Sequence, residues 1–166
     1  MSSKLSKPFA TSRGSALVLA GMLVLVSGFT AAAQPGNDGP RLEGTWRAQL
    51  TIRDCDTKAV LRTFPATFSF AKGGTLTVTT AGQPPSQNTT GLGVWNYLYG
   101  RTYSAVSEAF MFSPAGAPTS IQRLTRVITV SWDAKRYTDH VALEILDPHR
   151  NVIVTGCGTS VAVRLE

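Results

Sequence analysis

Asp139, His140 and Glu144 are the residues that come closest to an acid–base cluster in this chain of 166 residues. If they lie on a β-strand, His140 and Glu144 share one face and Asp139 lies on the other, because side chains alternate between faces. A single histidine beside a single carboxylate is more typical of a solvated outer face than of a general acid–base pair. The sequence therefore predicts no catalytic residue and favours a non-enzymatic protein.

The sequence contains no recognisable pattern for binding a metal or a cofactor. His140 and His149 lie far from Cys55 and Cys157, so these four residues form no cluster with metal-ligand spacing. A nucleophile elbow, a phosphate-binding loop and a dinucleotide fingerprint are all missing. We therefore expect neither a metal ion nor a cofactor.

The first residues have the features of a signal peptide. Three basic residues precede an apolar stretch at 16–26, and the alanines at 31–33 provide small residues for cleavage. The apolar stretch is short for a membrane span, although an uncleaved N-terminal anchor is the alternative. We predict a signal peptide at 1–33, a flexible lead-in at 34–41 and a folded domain at 42–166. The product would be exported to the periplasm or secreted, with no stable membrane span after cleavage.

Charge and cysteine content narrow the class of protein further. Without residues 1–33 the chain keeps all ten acidic residues and 13 of its 16 basic ones, which leaves a formal charge of +3. The arginines are scattered singly, so the sequence does not favour nucleic-acid binding. Because an exported chain with an even number of cysteines commonly forms disulfides, we predict a bond between Cys55 and Cys157. Two free, buried thiols are the alternative.

Eight stretches rich in Thr, Val, Phe and Tyr follow one another along the chain, separated by Gly, Pro, Asn and Asp. They occupy 45–54, 60–71, 75–80, 93–99, 102–112, 121–132, 137–146 and 152–165. The connections leave no room for crossover helices. We therefore predict an all-β domain, an eight-stranded antiparallel up-and-down β-barrel, because closure removes exposed strand edges. A two-sheet β-sandwich is the alternative. The polar stretch 81–91 is predicted to be a mobile loop at one mouth of the barrel.

The two cysteines also predict how the barrel closes. If the first and last strands pair in antiparallel fashion with Cys55 near Cys157, the same register places Trp46 beside residues 164–166. A single antiparallel register between the first and last strands therefore accounts for both proximities.

The alternation of side chains along these two strands conflicts with that pairing of the cysteines. Cys55 falls on the polar face of the first strand, whereas Cys157 shares a face with Val161 and Val163. A β-bulge near Asp54 is therefore expected.

Three short motifs resemble the calycin superfamily, which includes lipocalins and avidins. They are Gly44-Thr45-Trp46 at the start of the first strand, Tyr137-Thr138-Asp139-His140 near the seventh, and Arg164 at the end of the last. The resemblance implies that Trp46 plugs one end of the barrel. It also implies that Arg164 stacks on Trp46 as a cation–π pair. Any binding site is then expected at the opposite end.

Four aromatic residues, Trp95, Tyr97, Tyr103 and Phe110, are the candidate ligand-binding residues. An eight-stranded barrel either fills its interior with side chains or holds one small ligand, so these residues could line a pocket. The alternative is that they are ordinary core residues, since strands favour aromatics. Our first hypothesis is an exported, non-enzymatic protein that binds a small apolar or aromatic molecule.

Two further hypotheses come from other functional classes. The first is a barrel isomerase or cyclase of the dirigent or allene-oxide-cyclase type, which requires Glu108, Glu144 or His140 to point into a cavity. The second is a structural or protein-interaction module with a solid barrel, and this hypothesis allows a homo-oligomer.

Overall fold

The computed structural model describes residues 41–166, which form a closed barrel of eight antiparallel strands in sequence order. The strands are β1 (Gly44–Arg53), β2 (Val60–Ala71), β3 (Thr75–Thr80), β4 (Gly91–Tyr99), β5 (Thr102–Phe112), β6 (Pro118–Val130), β7 (Arg136–Leu146) and β8 (Val152–Arg164), with one 3-10 turn at Pro85–Gln87. Each strand pairs with its sequence neighbours, and β1 pairs with β8. The predicted up-and-down barrel is confirmed, and the sandwich alternative is wrong. The predicted signal peptide and all but the last residue of the lead-in lie outside the described residues.

The β1–β8 seam follows the predicted closure. Trp46 is paired with Arg164 at one end and Arg53 with Cys157 at the other, without a bulge between them. Cys55 and Cys157 form a disulfide with their Cα atoms 5.2 Å apart. This seam therefore contains no bulge; the register shift nearest Asp54 lies in the pairing of β1 with β2, between Ile52 and Arg53.

The face assignment of β8 explains why no bulge is needed. The small residues Gly158, Ser160 and Ala162 point into the barrel, while Val161 and Val163 are exposed on the outside. Cys157 thus faces outwards, as the alternation from Ser160 requires. The valines of β8 do not face the core, because the rings of other strands already occupy the interior at this level.

Large rings fill the end of the barrel at Trp46. Trp46 and Phe70 both contact Tyr137, with ring centroids 5.0 and 6.2 Å from the Tyr137 ring, and all three side chains are buried. The indole Nε1 donates a hydrogen bond to the carbonyl of Leu42 at 2.8 Å. The guanidinium carbon of Arg164 lies 4.2 Å from the centre of a Trp46 ring. We call this the closed end; it carries the β2–β3, β4–β5 and β6–β7 turns.

The opposite end, which we call the open end, is bordered by the loop 81–90 between β3 and β4. The loop is fixed at its start by a hydrogen bond from the Ala81 N–H to the Pro65 carbonyl at 3.0 Å. Near its end, the Thr89 N–H donates to the Phe110 carbonyl, and the Phe110 N–H donates to Thr89 Oγ1, both at 3.0 Å. The loop therefore joins the rim at β2 to the rim at β5.

Glycine permits a close approach of β4 to β5 near this loop. A Cβ atom at Gly93 would lie only 1.9 Å from the Val106 carbonyl oxygen. Any side chain here would separate the two strands, so Gly93 is required by the backbone packing.

Candidate functional site

A cavity of about 80 Å³ lies inside the open end of the barrel. Its apolar wall consists of Leu50, Ile52, Phe64, Leu124 and Leu143. Leu50 and Leu124 are buried, while Ile52, Phe64 and Leu143 are half-buried nearer the mouth. Inward-facing positions on four strands thus produce an apolar recess that narrows toward the filled core.

A groove on the barrel surface shares part of its lining with the cavity. Thr80, Gly82 and Gln83 border the cavity and also line a groove of about 620 Å³ along β2, β3 and the following loop. A Cβ atom at Gly82 would lie 2.7 Å from the ring of Phe64, so the loop backbone packs directly on this aromatic wall. A molecule anchored in the cavity would therefore have adjoining surface on which to extend.

Arg62 supplies a positive charge at the mouth of this cavity. Its guanidinium carbon lies 4.8 Å from the ring centre of Phe64, and its side chain is exposed. Among residues 41–166, Arg62 belongs to none of the ion pairs. The mouth thus combines an apolar wall with a cation that an anionic group could approach.

Glu108 and Glu144 are held by arginines near the same rim, on the outer face. Arg150 Nη2 and Arg123 Nε each donate to Glu108 Oε1 at 2.8 Å, and Arg123 Nη1 lies 3.6 Å from Glu144 Oε2. The hydrogen bond from Arg150, followed by that from Arg123, holds the pKa of Glu108 below its ordinary value, although partial burial opposes this shift. Neither carboxylate lines the 80 Å³ cavity.

We expect the contribution of Glu108 to stability to depend on pH. Because the folded-state pKa lies below the ordinary value of 4.5, the contribution is present above pH 4.5 and is lost as the pH falls through the folded-state pKa. Glu108→Gln should reduce the free energy of unfolding at pH 7 by no more than about 1 kcal/mol, because the group is partly exposed. The difference from the parent should disappear in acid.

Urea unfolding of both proteins across this pH range measures the effect. Glu144→Gln is the matched control, since Glu144 has one longer ion pair, and at pH 7 it should reduce the free energy of unfolding less than Glu108→Gln does. An undiminished difference between the parent and Glu108→Gln in acid would refute the assignment.

A buried ion pair crosses the middle of the barrel. Arg126 Nη1 donates to Asp139 Oδ2 at 2.5 Å, and the Ser160 N–H donates to Asp139 Oδ1 at 2.5 Å. Both charged side chains are 0% exposed, and the Arg126 guanidinium lies 4.5 Å from the ring centre of Phe68. Burial, followed by the charge of Asp139, raises the pKa of Tyr137 far above its ordinary value, so the phenol beside this pair stays neutral.

Sequence reasoning placed Asp139 correctly on the face opposite His140, but it missed Arg126. Arg126 occupies an inward position of β6 between Leu124 and Ile128, both buried. A charged residue at an otherwise apolar inward position was the available signal. Such a residue requires an opposite charge at the same level of the interior.

Three of the four candidate aromatic residues lie together, at the closed end. Tyr103 contacts both Trp95 and Tyr97, with ring centroids 5.7 and 5.6 Å from its own. They border a cleft of about 220 Å³ together with Arg41, Leu42, Glu43 and Lys72. Phe110 instead lies exposed on the outer face of β5 toward the open end. Their role in ligand binding stays a prediction, and three of them lie at the end where no site was expected.

The remaining polar candidates lie outside the barrel. His140 faces outwards, beside Val127 and Thr159 on the neighbouring strands, and borders a surface groove. Within residues 41–166, no group of three or more His, Cys, Asp or Glu side chains could hold a metal ion. In the same part of the chain, no helix is long and apolar enough to cross a membrane.

Comparison with known proteins assigns this chain to no family. No protein-family model matches the chain, and a search of curated proteins finds no match in sequence. The closed eight-stranded antiparallel barrel is compatible with a calycin-like fold. Membership of the calycin superfamily stays a prediction.

Proposed function

We propose that the protein is an exported, non-enzymatic binding protein that takes a small apolar or aromatic group into the open end of its barrel. The observation that supports this proposal is the apolar cavity of about 80 Å³ opposite Trp46. The disulfide between Cys55 and Cys157 is compatible with an oxidising, exported environment.

The size of the cavity limits the ligand. Pockets that enclose a drug-sized molecule measure about 300–1,000 Å³, so this cavity accepts a short chain or a single ring. The rest of the ligand would lie in the adjoining groove, and Arg62 would meet a negatively charged group at the mouth. A short-chain or aromatic carboxylate fits this combination.

The geometry supports the enzyme alternative less well than the binding function. Glu108 and Glu144 are held by arginines on the outer face, and His140 borders an outer groove. None of the three lines the open-end cavity. We therefore do not propose an isomerase or cyclase.

The filled interior and the exposed apolar residues of β4 support the alternative that the protein is an interaction module. Buried rings and the Arg126–Asp139 pair fill most of the interior, while Leu92 and Val94 on the outer face of β4 are exposed. A module of this kind would bind a partner on its outer surface and no small molecule in its interior.

Titration calorimetry with short- and medium-chain carboxylates and with benzoate distinguishes these two functions. The parent should bind at least one of them, and Leu143→Phe should weaken binding at least tenfold because the added ring fills the cavity. Leu92→Phe, which adds the same volume on the outer face, is the control and should bind like the parent. Urea unfolding verifies that both variants fold.

Arg62→Gln should weaken the binding of carboxylates more than that of an uncharged analogue such as benzyl alcohol. If the parent binds none of these probes, or if Leu143→Phe binds as tightly as the parent, the proposed function is wrong.

A further inference from the structure

Three large side chains are exposed to solvent at the closed end. Leu98 and Tyr99, the last two residues of β4, are 45% and 69% exposed, and Trp132 in the β6–β7 turn is 80% exposed. The β4–β5 and β6–β7 turns are adjacent, because the Arg101 guanidinium lies 4.2 Å from the centre of a Trp132 ring and Arg101 Nη1 donates to the Val130 carbonyl at 2.6 Å. We call the exposed residues of these two adjacent hairpin ends the aromatic tip (Leu98, Tyr99, Arg101 and Trp132).

The turn that carries Trp132 is held by several hydrogen bonds. The Ala134 N–H donates to the Ser131 carbonyl at 3.0 Å, and Ser131 Oγ donates to Asp133 Oδ1 at 2.5 Å. The Lys135 N–H also donates to Asp133 Oδ1, at 3.0 Å. The exposed position of Trp132 is thus built into the turn. A fixed, solvated indole is an anchor suited to a partner rather than part of the core.

The excess positive charge of the barrel also lies at this end. The half of the barrel around the open end has five basic residues, Arg53, Lys58, Arg62, Arg123 and Arg150, and five acidic ones, Asp54, Asp56, Glu108, Glu144 and Asp147. The half around the closed end has seven basic residues, Arg41, Arg47, Lys72, Arg101, Lys135, Arg136 and Arg164, and three acidic ones, Glu43, Asp133 and Glu166. Arg126 and Asp139 neutralise each other inside. The aromatic tip therefore lies within the cationic half.

We propose that the closed end docks the protein onto an anionic lipid surface. Trp and Tyr prefer the boundary between headgroups and acyl chains, where one edge of the ring is apolar and the other is hydrated. Basic side chains beside them are attracted to anionic lipids. In the docked state, Leu98, Tyr99 and Trp132 enter the headgroup region, with Lys72 and Lys135 beside them near its surface.

The shape of the surface favours a lipid layer over an acidic macromolecule. The exposed apolar side chains at the end of β4 and in the β6–β7 turn line none of the cavities or grooves described above. A deformable lipid layer can bury such exposed apolar side chains. An acidic polymer would bind through the basic side chains alone and would leave the apolar ones without a role. In the docked state the open-end cavity would face away from the membrane.

Co-sedimentation of the exported, processed protein with vesicles tests this proposal. Binding to phosphatidylcholine vesicles that contain phosphatidylglycerol should exceed binding to pure phosphatidylcholine, and should weaken as salt is added. Lys72→Ala and Lys135→Ala should each weaken binding about fivefold. Trp132→Ser should weaken it about tenfold, since burial of about a third of an indole side chain is worth that much. All variants share one N terminus, so the contribution of the residues before Arg41 cancels.

Two variants at the open end provide matched controls. Ile153→Ser removes an exposed apolar side chain, and Lys58→Ala removes an exposed cation; both should bind vesicles like the parent. Brominated lipids should quench tryptophan emission in the parent and much less in Trp132→Phe. If Trp132→Ser bound anionic vesicles as tightly as the parent, attraction between charges alone would account for the binding, and the proposal would be overturned. The absence of binding to anionic vesicles would also overturn it.

Discussion

Asp139→Ala is expected to lower the free energy of unfolding by about 3–5 kcal/mol, because it leaves the guanidinium of Arg126 buried without its counter-charge. Both side chains are 0% exposed, and no water can replace the lost carboxylate without entering the core. The Nε and Nη2 atoms of Arg126 already lack a hydrogen-bond partner within residues 41–166. The interaction with Asp139 therefore offsets most of the desolvation cost of the buried Arg126 guanidinium. Urea unfolding monitored by circular dichroism measures the loss.

A double variant separates the cost of breaking the pair from the worth of the pair itself. Arg126→Met with Asp139→Leu removes both charges and restores apolar contacts with Phe68. Its stability should lie close to that of the parent or above it, since desolvation offsets most of the attraction within a buried ion pair. Glu144→Ala, which breaks an exposed ion pair, should cost no more than about 1 kcal/mol. If Asp139→Ala cost no more than this control, the pair would not be buried as described.

The sequence predicted the strands because their burial alternates locally. In β1, Trp46, Ala48 and Leu50 alternate with Arg47 and Gln49, and the structure buries that apolar set. This pattern requires only that side chains alternate between the two faces of a strand and that one face is exposed to solvent. The number of strands and their antiparallel order follow from the short connections between such runs.

The face of β8 could not be predicted in the same way. Its apolar valines, Val161 and Val163, point outwards, and its small residues point inwards. The choice depends on interior volume, which is taken at this level by Trp46 and Tyr137 from other strands. The free interior volume is a property of the assembled barrel and cannot be read from the sequence of β8 alone.

For the aromatic candidates, the sequence predicted the residue types but not their position in the barrel. The aromatic character of Trp95, Tyr97 and Tyr103 was visible, but their position at the closed end follows from the register of β4 against β5. The cavity at the open end arises where inward side chains from several strands leave space between them. No single stretch of sequence contains that information.

Removing the disulfide with Cys55→Ala and Cys157→Ala is expected to lower the free energy of unfolding by about 4–5 kcal/mol. The bond joins residues separated by 102 positions, so it restricts nearly the whole unfolded chain, and the entropic effect grows with loop length. It lies beside the last pair of the β1–β8 seam, where Arg53 meets Cys157. Because β1 and β8 come from opposite ends of the domain, this seam has the largest loop-closure cost in the barrel.

Thermal unfolding should show the same loss as a fall in Tm of roughly 10–20 °C. A reducing agent added to the parent should reproduce the double variant, and it should leave the double variant itself unchanged. Each single variant should resemble the double variant, since either substitution removes the same bond. A loss below about 1 kcal/mol would show that closure entropy is not what the disulfide contributes, and that the backbone ladder from Trp46 to Arg53 holds the seam without it.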